Sequence, residues 1–557
     1  MMISTLCLKF GRVPGLPATQ IEATPITIFV GPNNSGKSKL LTEIVQYCRT
    51  GQKNTSMVIL EDLTFYGFGT NKAQEAVDNI KQKPRPGEIV NVGNIFVGSS
   101  HGRQQIPLID LIQIIQNPAS NIRLFCQWFL THSTLMLDGR NRINLVNQQP
   151  AGDLQHDPQT SFQKLFHDDQ KRNSIRRIIA EAFGLYFVID PTNLGQLRIR
   201  MSQRIPVNDL EERGIHEEAV RFHSSAQLID QASDGVKAFT GIITEVIAGD
   251  PRVLLIDEPE AFLHPSLATN LGYEVSRAAA STDKRIFIST HSSSFVMGCI
   301  NSGTPVNILR LTYRSGVATA RILPSKDILE LMRNPLLRST GVLSGLFYEF
   351  VVVTESDADR AFYQEVNERL LRFKHEWGIP NCLFINAQNK QTVQTIIRPL
   401  RQLGIPTAGV VDIDVLKDGA PNWTNLLSSA NFPEISRDSL AILRANVKRA
   451  MDLTGKDMKR GGGVNILPNS DKEAALSLLN QLEEYGIFVV SGGELESWLK
   501  QVGASGHGPS WLIDIFEKMG EDPDSDNFLM PSEDDVWKFM YQIRTWLINP
   551  DKKGIPS

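Results

Sequence analysis

Two groups of residues in this 557-residue chain have the types and spacing that phosphate chemistry needs. The first is Gly31-Pro-Asn-Asn-Ser-Gly36-Lys37-Ser38, the pattern G-x-x-x-x-G-K-S, set between the apolar run 26–30 and a helical stretch, 40–48. Glycines there let the backbone wrap closely, so that its N–H groups and the helix N-terminus meet phosphate oxygens. Gly31, Asn34, Gly36, Lys37 and Ser38 are the candidate ATP-binding residues, with Lys37 for the β- and γ-phosphates and the Ser38 hydroxyl for Mg²⁺. Far downstream, the run 253–256 leads into Asp257-Glu258-Pro259-Glu260. A buried strand that delivers Asp257 to its end suits Mg²⁺ coordination, and Glu258 beside it suits orienting or deprotonating the attacking water. Asp-Glu-Pro alone also begins helices, and the upstream phosphate loop is what favours the ATPase reading. The run 285–290 then ends at His291, a candidate contact to the γ-phosphate.

The second group is made of carboxylates. The run 350–353 delivers Glu355, with Asp357 and Asp359 close behind; 408–411 delivers Asp412-Ile-Asp414; and 487–490 is followed by Glu494-Leu-Glu496. Three strands that each end in carboxylates are what a divalent-metal site on a sheet edge requires, and oxygen ligands of this kind suit Mg²⁺ or Mn²⁺ rather than zinc. Glu355, Asp359, Asp412 and Asp414 are the candidate catalytic and metal-binding residues, with Glu496 a further metal ligand. Such a cluster suits phosphodiester hydrolysis. Strand ends also favour polar residues, and acidic ones cap helices; the ordered set, not any one residue, points to metal.

The elements that position these groups are short, continuously apolar runs, which read as strands buried on both faces of parallel sheets. Most lead through a loop into a helical pattern, the order of α/β folds. They form two clusters, 26–290 and 350–490. A gap at roughly 60–225, rich in Gln, Asn and Arg and helical at 162–183, reads as a helical insertion. Pro, Ser, Thr and Gly at 334–345 mark a junction, so the expected domains are 1–335 and 346–557. The acidic run 521–535 reads as a solvated loop.

Hydrophobic residues at 41% and charged residues at 21% fit a soluble globular protein. No apolar run approaches the ~18 residues that span a bilayer, and the first twelve residues lack the order of a secretory signal. Five scattered cysteines, none in a CxxC pair, suit reduced thiols. A cytoplasmic protein is expected. The net charge of −4 neither advertises nor excludes a nucleic-acid partner. The stretch Arg444, Lys448, Arg449, Lys456, Lys459 and Arg460, ending in Gly461–Gly463, fits either a phosphate-gripping loop or a solvated helix face. Arg172, Arg176 and Arg177 are weaker candidates for DNA contact and read more readily as surface residues.

The run 254–265, LLIDEPEAFLHP, with STHS at 289–292, resembles ABC-type ATPases related to RecF, SMC proteins and the OLD family. In that group a serine–glycine element reaches across a dimer to the other subunit's ATP. The matching stretch, Gln231-Ala-Ser233-Asp234-Gly235-Val-Lys237, resembles its shortened OLD form, which implies that Ser233 and Gly235 bind ATP in a paired head. The carboxylate order resembles a Toprim domain. Its first motif in OLD proteins is roughly E-G-x-x-E, whereas this chain has Glu355-Ser356-Asp357-Ala358-Asp359. Asn389-Lys390 resembles a family loop that usually contains Gly-Lys, and a late lysine assists some relatives, for which Lys518 and Lys538 are candidates.

Together these resemblances imply an α/β chain in two parts, an ABC-type P-loop ATPase domain with a helical insertion and a C-terminal Toprim domain. They imply ATP and Mg²⁺ or Mn²⁺ as cofactors, a homodimer or higher homo-oligomer, and no membrane partner. The activity implied is an ATP-regulated, metal-dependent DNA endonuclease of the OLD family, similar in layout to Gabija-type anti-phage nucleases. Relatives work beside a helicase or a retron reverse transcriptase with its DNA. Three other functions fit the same motifs: a sensor or scaffold with a non-catalytic Toprim domain, an RNA (tRNA) nuclease, and a RecF-like DNA-repair ATPase.

Overall fold

The computed structural model describes residues 2–556 apart from 86, 100, 101, 156 and 157. The chain divides into two compact units, Met1–Leu329 and Glu330–Ser557. The division falls inside the helix Ser325–Arg333, ahead of the Pro- and Gly-bearing stretch 334–345.

The first unit is built on a six-stranded sheet in the order Val317–Leu323, Val306–Arg314, Ile26–Val30, Arg285–Ser289, Val253–Asp257, Thr134–Leu137. Every neighbouring pair is parallel except the hairpin of the first two strands. Ile26–Val30 and Arg285–Ser289 are buried along their whole length, as strands covered on both faces must be. Register sets Asp257 level with Ser289, at the carboxyl ends where α/β sheets bind ligands.

The reading of 60–225 as a helical insertion is corrected in part. The segment does hold helices, Ser161–His167 and Asp169–Phe183 among them. It also supplies Thr134–Leu137, the edge strand of the main sheet, and Leu60–Phe65, which pairs antiparallel with Ile3–Leu8. Tyr186–Asn193 and Gln196–Ser202 form a further antiparallel hairpin. A four-residue strand such as Thr-Leu-Met-Leu is too short to carry a period of its own, and only its partner Val253–Asp257 identifies it.

The second unit has four parallel strands in the order Cys382–Asn386, Phe350–Thr354, Thr407–Asp412, Ile487–Val490. Its register sets Asp412 level with Val490 and Thr354 level with Asn386, so the acidic segments leave from the same sheet edge. Beneath it Arg401, fully buried, donates to the carbonyls of Thr407, Ala430, Tyr485 and Gly486 and so satisfies backbone ends that packing has removed from water. Segment 521–534 is largely exposed, as a solvated loop should be. All five cysteines are free thiols, and among the described residues no helix is long and apolar enough to cross a membrane.

One buried acid fixes the shape of the phosphate loop. Glu43, wholly buried on the helix Lys37–Thr50, accepts from the backbone N–H groups of Val58, Ile59 and Leu60 at 2.8, 3.1 and 2.8 Å. Ile59 in turn packs on Gly36. Glu43→Ala would strand these donors at about 1–3 kcal/mol each where they stay dry. We expect the first unit to lose several degrees of thermal stability by calorimetry; an unchanged transition would contradict this role.

Candidate nucleotide and metal sites

In the phosphate loop the backbone conformation dictates residue type. Gly31 and Gly36 have φ of 143° and 94°, in the left-handed region, and a Cβ on Gly31 would strike the Leu311 carbonyl. Asn34 is also left-handed, at φ 61°, a region Asn tolerates better than most residues. Lys37 is buried in the loop, its Nζ donating to the Gly31 and Pro32 carbonyls at 2.9 and 2.8 Å. Burial pushes its ammonium down to about 8, against the opposing pull of Glu258, Asp257 and Glu260.

The acidic motif meets this loop directly. Ser38 Oγ donates to Asp257 Oδ1 at 2.9 Å, and the Ser289 hydroxyl donates to the same oxygen. Ser38 and Asp257 therefore present adjacent hard oxygens, which fits a Mg²⁺ carried in with ATP phosphates. Glu258 is half-exposed and left-handed, at φ 50°. His291 Nε2 stands 3.9 Å from Glu258 Oε1, and burial, followed by Lys37, lowers its pKa and favours the neutral ring. Glu260 holds this corner by accepting from the His291 N–H at 2.8 Å.

Arg142 is a participant that the sequence does not advertise. Its side chain is buried, and Nη1 donates to the Asp257 carbonyl at 2.8 Å and to the Glu258 carbonyl. One guanidinium thus pins both peptides around the left-handed Glu258. No motif surrounds Arg142, so only the fold reveals it.

Ser233 and Gly235 stand apart from these contacts. Ser233 is exposed and caps the helix Asp234–Ala248, accepting from the Val236 N–H. Gly235 is buried against the Phe262 carbonyl, where a Cβ would not fit.

In the second unit, oxygens of Glu355, Asp412 and Asp414 lie within 4.8 Å of one another. The Asp412 N–H donates to Glu355 Oε1 at 2.9 Å, fixing one acid against the next. Asp414 Oδ2 pairs with Lys390 at 2.9 Å, while Asp414 Oδ1 is buried without a partner. Lys459 Nζ sits 2.7 Å from Asp412 Oδ2. Burial, then neighbouring acids, raise Glu355 well above the carboxylate range; burial likewise raises Asp412, with Lys459 opposing. A dry, unpartnered carboxylate oxygen among mutually repelling acids fits a hard divalent cation. Glu355, Asp412 and Asp414 would hold it.

Asp359 and Glu496 are not part of that triad. Asp359 Oδ2 accepts from the Ser356 N–H at 2.8 Å and Ser356 Oγ accepts from the Asp359 N–H at 3.3 Å, a capping box on the helix Asp357–Phe373. Burial raises the Asp359 carboxyl, and Glu496 and Lys459 are among the charges it feels. Glu496 Oε1 accepts from the Gly508 N–H at 2.7 Å and lies 2.8 Å from His507 Nδ1. Asn389 caps the helix Lys390–Gln402, which aims Lys390 at Asp414 and Asp418.

Several expectations about cations need correction. The lysines at the carboxylates are Lys390 and Lys459; Lys518 is taken by Asp514 and the Gly503 carbonyl, and Lys538 is exposed on the helix Asp535–Ile548. Arg172 and Arg176 are buried, both paired with Glu212, and Arg177 pairs with Glu181 and Glu274, so these three are structural. Arg444 donates to the Asp418 carbonyl and lies over Trp423, whereas Lys456 and Arg460 are exposed.

Two outcomes follow from this geometry. Arg142→Ala should cut ATP turnover by roughly tenfold or more, the scale of a misplaced catalytic group, while nucleotide affinity changes little; unchanged turnover in a steady-state assay would remove the positioning role. For Glu355 and Asp412, raised folded pKa values mean that the folded state holds protons which unfolding releases. Without metal, the contribution of these two acids to stability is greatest at low pH and declines as pH rises from the ordinary carboxylate range through the raised values. Mg²⁺ competes with those protons, so the rise in melting temperature on adding Mg²⁺ should be larger near pH 8 than near pH 5.5. Equal rises would contradict a cation at this triad.

Comparison with known proteins agrees with the first unit's chemistry. Residues 129–297, which include Ser233, Asp257, Glu258 and His291, match the family described as "AAA domain, putative AbiEii toxin, Type IV TA system". The chain is 25% identical over 264 residues to the Old nuclease of Escherichia phage P2, covering 44% of this chain and 43% of that protein. It is 26% identical over 235 residues to the energy-coupling factor transporter ATP-binding protein EcfA2 of Clostridium acetobutylicum, covering 42% of this chain and 70% of that protein. Among solved structures, the SmcHead bound to the C-winged helix domain of ScpA matches at 12% identity over 59% of this chain and 99% of that one, TM-score 0.34. The SMC head domain from Thermotoga maritima matches at 13% identity over 58% and 99%, TM-score 0.30. The chain thus spans less than half of the Old nuclease's length, and its matches to an AAA domain and to a transporter ATP-binding protein support an ATPase.

Proposed function

We propose that this protein is an ATP-regulated, divalent-metal-dependent DNA endonuclease of the OLD type, acting in defence against phage. The observation that carries the reading is the Glu355, Asp412 and Asp414 triad with its unpartnered Asp414 oxygen and Lys459 alongside. The partial likeness to the Old nuclease supports a nuclease activity.

In the ATPase unit, Lys37 and the loop N–H groups hold the phosphates, and Ser38 and Asp257 hold their Mg²⁺. Glu258, pinned by Arg142, orients and deprotonates the attacking water. His291, neutral near physiological pH, contacts the γ-phosphate. Ser233, exposed at a helix N-terminus, is offered to the ATP of a second copy, which makes a dimer of heads the working unit.

In the second unit, a bound divalent cation supplies charge neutralisation for the phosphodiester and acidifies its water. Glu355, Asp412 and Asp414 fix its position. Lys459, beside Asp412, would offer its ammonium to a phosphate oxygen, and Asp359 and Glu496 would add negative charge nearby. Lys456 and Arg460 are free to hold the strand. ATP binding or turnover in the heads controls cutting at this centre, beside a companion defence protein or nucleic acid.

The test is cleavage of supercoiled and linear DNA with Mg²⁺ or Mn²⁺, with and without ATP. Wild type should cut, Asp412→Ala should lose cutting by at least about a hundredfold while keeping ATPase activity, and Lys37→Ala should lose ATP binding. Cutting by Asp412→Ala in metal-replete buffer would overturn the nuclease centre; cutting of RNA alone would reassign the substrate.

A further inference from the structure

The helix Glu434–Leu453 buries one face through Leu440, Val447 and Met451 and leaves the other bare. On the bare face Ile435, Ile442 and Leu453 are 91%, 65% and 82% exposed. At about 3.6 residues per turn, Ile435, Asp438, Ile442, Arg449 and Leu453 fall on one stripe, about 27 Å long. Neither Asp438 nor Arg449 has an ion-pair partner in the chain among the described residues.

The order of residues on this stripe is self-complementary. Laid antiparallel on its own copy with the crossing at Leu443–Arg444, the helix sets Ile435 against the second copy's Leu453, Asp438 against its Arg449, and Ile442 against its Ala445 and Asn446. Both apolar ends are covered and both charges are answered, twice over, as an isologous two-fold contact requires. A parallel pairing would set Asp438 beside Asp438 and Arg449 beside Arg449. We infer that this face is a homotypic docking surface, joining two copies through antiparallel Glu434–Leu453 helices.

Nucleic acid is the poorer occupant. Arg444, the cation nearest the middle of the helix, is committed to the Asp418 carbonyl and Trp423. The stripe's own charges cancel, and isoleucines this exposed gain nothing from phosphates. A single helix pair lies at the small end of interface sizes, so association in the micromolar range is expected. The inference is independent of the nuclease reading, since it uses none of the carboxylates.

Sedimentation velocity of the full chain without nucleotide tests it across a range of protein concentrations. Wild type should double its mass with concentration. Ile442→Asp and Asp438→Arg should each abolish that doubling, and the exchange Asp438→Arg with Arg449→Asp should restore it. Restoration also guards against misfolding of a single variant, because the exchange contains the same substitution. A wild type that never doubles, a doubling indifferent to Ile442→Asp, or an exchange that fails to restore it would each overturn the inference. So would unchanged masses with weakened duplex-DNA binding, which would give the face to nucleic acid.

Discussion

Carboxylates brought close together in a dry place repel one another, and a fold keeps them there only if its backbone leaves no other choice. Glu355, Asp412 and Asp414 are held in this way. Two parallel strands in fixed register end beside one another, the Asp412 N–H locks Glu355, and Lys390 and Lys459 relieve part of the charge. What remains is an oxygen of Asp414 with no partner. Leaving such a group dry is unfavourable by a kilocalorie or more, and a cation is the simplest species that removes the cost.

The same device appears in the first unit. A continuously apolar strand carries Asp257 to the carboxyl edge, where register with Arg285–Ser289 sets it against Ser289 and the phosphate loop brings Ser38. Here the acid accepts from hydroxyls, while Lys37 lies in the loop and Arg142 grips the carbonyls that follow.

Features set by neighbours in the chain are legible in the sequence. The phosphate loop, the strands that end in acids and the helix caps all announce themselves through adjacent residues, because a buried parallel strand needs an unbroken apolar run. Contacts between distant segments do not. Thr134–Leu137 is a strand only because Val253–Asp257 lies beside it. Arg142 and Lys459 act at carbonyls and carboxylates far along the chain, and nothing near them marks that role. Arg172 and Arg176 read as surface cations because a buried, paired arginine and an exposed one look alike until Glu212 is placed against them. Asp359 is the mixed case, since the spacing that suggests a ligand is also that of a capping box, and the structure uses it as a cap.

The central claim is that the triad is a cation site, and locating Mn²⁺ by anomalous scattering in crystals of the protein tests it most directly. The account predicts a peak bounded by Glu355, Asp412 and Asp414, with Lys459 Nζ moved off Asp412. A Mn²⁺-saturated crystal with no peak there, and Lys459 still bridging Asp412, would contradict it.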